Sequence, residues 1–309
     1  MRVLVTGGAG FIGSHIADRF AARGDEVCVV DNLYSGRREN LDPQRRFDEV
    51  DVSTAELGRV FDEVRPELVV HAAAQVRVRC EDHLLDARYN VLGSLNVIHH
   101  AVRTEVGRLI YLSSGGAVYG EPEYLPCDEE HPVAPLSAYG LTKYTPEHYL
   151  RLYKLSDGLD YIVLRPGNVY GPRQDQRGEA GVCAIFTGKL LAGAVPVING
   201  SGDNTRDYVY VADVVEAVRL AAEVEEPAER VFNVGTGLES SVNEIYRELA
   251  ALTGYRGRAE HAPEPLEVKR IALDYTRIRK TLGWVPKIEL HEGLKRLVAW
   301  SRGRTAERR

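Results

Sequence analysis

The segment Val3–His15, VLVTGGAGFIGSH, runs an apolar β-branched stretch into three glycines and then into a helical pattern. Gly7, Gly10 and Gly13 are spaced G-x-x-G-x-x-G, and Ile12, Ile16 and Phe20 follow four residues apart. Glycine at these places allows a tight turn, close approach of the backbone to a ligand, and close packing of helix on strand. The helix start then offers unpaired N–H groups and the positive end of its dipole to an anion. The next apolar run, EVCVVD, closes on Asp31. A carboxylate about 20 residues beyond such a loop accepts from a ribose 2′-hydroxyl and repels a 2′-phosphate, which favours NAD over NADP.

The rhythm of the first half agrees with that start. Strand-like runs at Arg2–Val5, Glu26–Val30, Arg46–Val50, Leu68–His71, Arg108–Leu112 and Tyr161–Leu164 alternate with helical patterns such as Ile12–Ala22 and Val91–Arg103. Strands separated by helices predict a parallel sheet covered on both faces, hence a doubly wound α/β fold. After Gly171 proline, glycine and aromatic residues become denser, and helices at Ala180–Ala192 and Ser241–Thr253 stand between loops. The expected division is a dinucleotide-binding domain over 1–170 and a smaller mixed substrate lobe over 171–309. Segments near 208–236 are expected to return to the sheet.

Composition narrows the function. A net charge of −6 over 309 residues supplies no field for nucleic acid or anionic lipid. Cys28, Cys80, Cys127 and Cys183 form no C-x-x-C pair, so no metal site is expected and a reducing cytoplasm fits. The chain opens directly on its first strand and holds no apolar run of about 20 residues, so neither a cleavable leader nor a membrane span is expected.

Further along the strand ends, Asn32, Ser35 and Gly36 follow Asp31; Asp51 and Val52 follow the third strand; and Ala72, Ala73 and Ala74 follow the fourth. With Phe11 and Ile12 these are the expected contacts along the cofactor, the alanines being small enough for close backbone approach. Tyr139 and Lys143, in SAYGLTKY, are spaced to share one helix face. An ammonium beside a phenol favours the phenolate and lowers its pKa. Such a phenolate can take a proton from a substrate hydroxyl while hydride leaves to a nicotinamide.

The motifs TGGAGFIGSH, VVDNLYSG, HAAAQ, SSGGAVYGE, YGLTK, GNVYGPRQD, GEAGVCAIF, RDYVYVADVVEA and FNVGTG occur in that order. The chain therefore resembles the extended short-chain dehydrogenases that act on nucleotide sugars, and most of all the UDP-glucose (UDP-galactose) 4-epimerases of bacteria and archaea. That resemblance implies a Rossmann-type fold, tightly held NAD, transient oxidation of the sugar at C4, and a homodimer. It assigns Tyr139 as acid/base, Lys143 as its partner on the nicotinamide ribose, and Asn90, Ser113 and Pro166 to the nicotinamide end. It assigns Asn168, Gly181, Val182, Arg206, Tyr208 and Glu267 to the UDP-sugar, with Ser114 and Tyr139.

Three departures from the family pattern matter. A serine or threonine often precedes Val-Tyr-Gly by three places, and here that place is Gly115, which moves the expected hydroxyl to Ser114 or, failing that, Ser113. An Arg-Pro-Gly-Asp segment is replaced by Glu264-Pro-Leu-Glu267, so a diphosphate clamp is either missing or supplied by Lys269 or Arg270. The loop after HAAAQ is about two residues short and carries Arg77 and Arg79. Those arginines fit either a phosphate or acidic sugar, or a solvated loop. Alternatives to the epimerase are a UDP-glucuronate or UDP-N-acetylhexosamine epimerase, a decarboxylase, and a silent NAD-binding scaffold. A dehydratase is disfavoured because Gly116-Ala117 cannot transfer protons.

Overall fold

The computed structural model describes residues 1–76, 82–176 and 181–307. The apolar runs form β1 (Arg2–Thr6), β2 (Glu26–Asp31), β3 (Arg46–Glu49), β4 (Leu68–His71), β5 (Arg108–Leu112) and β6 (Tyr161–Pro166). These lie in one seven-stranded sheet in the order β3-β2-β1-β4-β5-β6, with Val231–Val234 at the far edge, and every neighbouring pair is parallel. Side chains alternate across the sheet, as the pleat requires. Val3, Val5, Ile110, Leu112, Ile162 and Leu164 enter one core layer. Leu4, Val69, Leu109, Tyr111, Tyr161 and Val163 enter the other. Burial on both faces is why the strands read as continuous apolar runs.

The chain leaves β1 toward β2 and β3, then crosses to β4 on β1's other side. The carboxyl ends of β1 and β4 therefore diverge into a crevice, the place where doubly wound sheets bind ligands. The helix Phe11–Ala22 starts at that crevice and packs against Val211–Glu223. That second helix also touches β5 and β6 and leads into the edge strand Val231–Val234, so residues 211–234 lie on the large sheet.

The rest of the second half is built on Val182–Leu191, Val242–Thr253 and Leu290–Glu307, which pack against one another. Three short pairings brace it: Asn168–Tyr170 with Tyr208–Tyr210, Val197–Asn199 with Glu260–Ala262, and Thr205–Arg206 with Ser240–Ser241. One helix differs from its sequence pattern. The stretch expected as a helix over Val91–Arg103 is regular only over Gly93–Arg103, and a wider π-helical turn, Ala87–Leu92, precedes it. The widened turn carries Asn90, whose amide accepts from Gln75 N (2.8 Å) and donates to Gln75 O (3.1 Å) and Thr142 Oγ1 (3.1 Å). Such turns recur where a helix must aim a side chain at a site.

Candidate active site

A cleft of about 1750 Å³ lies along the carboxyl ends of the strands. At one end it is lined by Gly7, Gly10, Phe11, Ile12, Gly13, Asp31, Asn32, Ser35, Gly36, Val52 and Ala72–Ala74. Gly7 has φ +67°, and a Cβ there would stand 2.5 Å from Ala73 N; one on Gly13 would stand 2.2 Å from Gly7 O. These two glycines let the turn, the β4 loop and the helix touch. Gly10 caps the Phe11–Ala22 helix with no side-chain hydrogen bond, and the first turn holds no acid. The uncapped N–H groups face the cleft, so the residues present fit the pyrophosphate of NAD. Asp31 is buried and its carboxylate accepts from Ala9 N (3.0 Å) and Leu33 N (2.8 Å), which holds it where a ribose would pass.

At the middle of the cleft stands the tyrosine helix, Ala138–Asp157. Ser137 caps it by accepting from Gly140 N at 3.1 Å, and Gly158, at φ +76°, ends it. Tyr139 and Lys143 line the cleft one turn apart. Burial pushes the Tyr139 phenol above its ordinary range, a hydrogen bond with Ser114 pulls it back, and the nearby Asp86 carboxylate adds to the rise. Lys143 is 3% exposed, and burial lowers its pKa to about 7 against the opposing attraction of Glu147. Its ammonium lies 4.5 Å from the centre of the Tyr111 ring. The two groups are thus shifted apart, the phenol upward and the amine downward, and the lowering of the phenol that the Tyr139–Lys143 spacing predicts is outweighed by burial.

The two serines have different partners. Ser114 meets Tyr139, whereas Ser113 Oγ donates to Glu147 Oε1 at 2.6 Å. Glu147 in turn holds Arg165 through Nε (3.0 Å) and Nη2 (2.6 Å), and Arg165 Nη1 donates to Tyr119 OH at 2.9 Å. Gly115 has no room for a hydroxyl: a Cβ there would lie 2.5 Å from Leu273 Cδ1 and 2.8 Å from Arg165 O. Glu147 was missed in the sequence, although it stands one turn past Lys143 and the series Tyr139, Lys143, Glu147 marks one helix face.

Pro166, Asn168, Gly181, Arg206 and Glu267 line the other end of the cleft. Arg206 Nη2 lies 3.5 Å from Glu267 Oε1. Lys269 and Arg270, the expected substitutes for a diphosphate clamp, do not line the cleft in this structure: Lys269 pairs with Glu264 at 2.8 Å, and Arg270 pairs with Glu239 at 2.6 Å. Carboxylates nearer to hand have claimed both cations. Four expected contacts stand behind the cleft wall. Asp51 accepts from Ser53 Oγ and Arg88, Asn90 bridges Gln75 and Thr142, Val182 begins the helix after Gly181, and the Tyr208 hydroxyl is buried with no hydrogen-bond partner among the described residues. Arg77 and Arg79 lie outside the described residues. Tyr34, Gln75 and Tyr89 also line the cleft, and as isolated residues in loops and turns they carried no periodic signal.

Lys143 supports a prediction about stability. Its folded pKa of about 7 lies below the ordinary 10.5, so the cost of burying its charge is complete below pH 7 and fades as pH climbs toward 10.5. Lys143→Met is expected to lose activity when loaded with NAD, and its NAD-free form is expected to be more stable than the NAD-free parent by about 1 kcal/mol at pH 7. The gap should close at alkaline pH. Denaturant titrations at pH 7 and above pH 9 check this, and a variant less stable at both would refute it.

The sequence model of the NAD dependent epimerase/dehydratase family matches residues 3–235. The UDP-glucose 4-epimerase of Mycolicibacterium smegmatis is 42% identical over 313 residues, covering 99% of this chain and all of the relative. The crystal structure of UDP-glucose 4-epimerase from Thermotoga maritima with UDP-glucose superposes with a TM-score of 0.96 at 44% identity, covering 99% of this chain and 100% of that one. The Thermus thermophilus UDP-glucose 4-epimerase complex with NAD gives 0.93 at 43% identity, covering 98% and 99%. The glycine loop, Asp31 and the Tyr139–Lys143 pair all fall within the matched segment, and the chain belongs to the NAD dependent epimerase/dehydratase family.

Proposed function

We propose that the protein is an NAD-dependent nucleotide-sugar 4-epimerase that interconverts UDP-glucose and UDP-galactose. The observation that carries this reading is the Ser114–Tyr139–Lys143 set beside a cleft fitted for NAD, in a chain where the loop at Gly116-Ala117 supplies no second proton donor. The glycine loop, the start of the Phe11–Ala22 helix and Asp31 would hold NAD, which would supply a reversible hydride acceptor for C4 of the sugar. Tyr139 Oη removes the proton of the C4 hydroxyl and holds it until the carbonyl is reduced again. Ser114 orients that oxygen and steadies the phenolate by donating to it. Lys143 favours the phenolate by its charge. Asn168, Gly181, Arg206 and Glu267 hold the UDP moiety; the arginine suits the diphosphate, and the glutamate suits a ribose hydroxyl.

Incubation with UDP-glucose, UDP-N-acetylglucosamine and UDP-glucuronate, followed by NMR of the products, tests the reading. UDP-galactose from the first is expected, and release of CO₂ from the third would overturn it. The serines separate in the same assay. A hydrogen bond to a charged group contributes about 1.5–3 kcal/mol, so Ser114→Ala lowers kcat roughly 10- to 100-fold. Ser113→Ala costs about 1 kcal/mol of stability and leaves kcat nearly unchanged. The reverse pattern would transfer the role to Ser113.

The enzyme is read as a homodimer. On the tyrosine helix Leu141, Tyr149, Leu152 and Leu155 are exposed, and Leu92, also exposed, precedes the neighbouring helix. This apolar stripe supports pairing of two copies through those helices. No helix among the described residues is long and apolar enough to cross a membrane. Cys28, Cys127 and Cys183 are free and buried, which supports a cytoplasmic setting.

A further inference from the structure

Two tyrosines meet across the cofactor end of the cleft. Tyr34 stands on the loop after β2 and Tyr89 on the π-helical turn beyond β4, so they belong to opposite lips. Both line the cleft, and their ring centres are 5.9 Å apart at an interplanar angle of 34°. Tyr34 is 53% exposed, yet its loop is held in place. Leu33 adopts φ 57°, a left-handed conformation that costs free energy for a residue with a side chain. Asp31 Oδ1 accepts from Leu33 N (2.8 Å), Asn32 Oδ1 accepts from Tyr34 N (3.1 Å), and Arg37 N donates to Ala9 O (2.9 Å). Tyr89 is braced from behind. The Arg88 guanidinium lies over its ring at 5.5 Å and donates to Asp51 Oδ2 (3.2 Å) and Ser53 Oγ (3.1 Å). A strained backbone secured by a carboxylate, and a ring steadied by a tethered cation, hold two aromatic faces over the place that Asp31 marks for the adenosine ribose.

We infer that Tyr34 and Tyr89 are cofactor-binding residues: they form a strap over the adenosine end of NAD, and the cofactor leaves only when the two rings part. The aromatic faces suit a purine, which stacks through its π surface. A strap suits an enzyme whose hydride goes back to the sugar it came from, because the dinucleotide then has no need to exchange between turnovers. The Tyr34 backbone is tied down while its side chain is half exposed, so rotation of that side chain is the movement that opens the gate.

The test is the rate of NAD release from purified holoenzyme, followed by its capture and reduction by excess alcohol dehydrogenase and ethanol. Tyr34→Ala and Tyr89→Ala are each expected to release NAD at least tenfold faster than the parent. The double variant is expected to be no faster than either single one, because one missing ring already opens the gate. Tyr34→Phe keeps the ring and should release NAD at the parental rate. Thermal melting of the NAD-free proteins serves as the fold control and should not differ among them. An unchanged release rate in Tyr34→Ala would overturn the strap. So would a double variant whose acceleration equals the product of the two single effects, since that would mean two independent contacts.

Discussion

Tyr139→Phe is expected to lower kcat by about 10²–10⁴-fold, the span that a positioned general acid/base contributes, while the protein still purifies with NAD. The reason is local. Lys143 is buried and, with a pKa of about 7, is the remaining titratable group on that face of the helix that lines the cleft. It stands one turn away, beside the Tyr111 ring, and cannot replace an oxygen at the sugar. Loss of the phenol also removes a group whose ionisation is opposed by burial and by Asp86. The parental rate should therefore climb with pH as the phenolate becomes populated, and the residual rate of the variant should lack that climb. Steady-state kinetics across pH, with NAD content measured after gel filtration, decide the matter. A variant that retains a tenth or more of the parental kcat would remove Tyr139 from the chemistry.

The second large effect is on folding. Glu147 and Arg165 form an ion pair with both side chains about 5% exposed. Arg165→Met strands the Glu147 carboxylate in the interior and is expected to cost about 3–5 kcal/mol of stability. The paired change Glu147→Gln with Arg165→Met removes both charges and should recover most of that loss. Urea titration of the three proteins provides the comparison. A single variant that loses less than 1 kcal/mol would show that water reaches the carboxylate. Glu147 also faces Lys143 one turn back, and Arg165 shares its charge. Freed of the guanidinium, that carboxylate should raise the Lys143 pKa above 7, a shift that a purely structural pair would not produce.

What the sequence disclosed and what it hid follow from how far apart the deciding atoms lie along the chain. The glycine loop, Asp31 and the six strands are written in neighbouring residues, because a turn, a cap and a two-sided strand each depend on local spacing. The parallel sheet and its crevice were legible for that reason. The π-helical turn was not, since it exists to let Asn90 reach Gln75 and Thr142, and nothing between Val91 and Arg103 signals those partners. The absence of a hydroxyl at Gly115 was visible, but its cause is Leu273 and the carbonyl of Arg165, residues brought there only by the fold. The fates of Lys269 and Arg270 likewise depended on Glu264 and Glu239, which compete with any bound phosphate for the same cations.

The edge strand Val231–Val234 and the helix before it bear on how the protein is made. Until those residues have been synthesised, the outer edge of β6 has no partner, and the core layer holding Ile162 and Leu164 lacks the cover of Val214, Ala217, Val218 and Ala221. On the ribosome, the first 170 residues are therefore an open sheet with a sticky rim, and they cannot complete their packing until the chain has looped out through the lobe and come back. The two halves mature together, and a chain cut at the apparent border near residue 170 would leave both pieces unfinished.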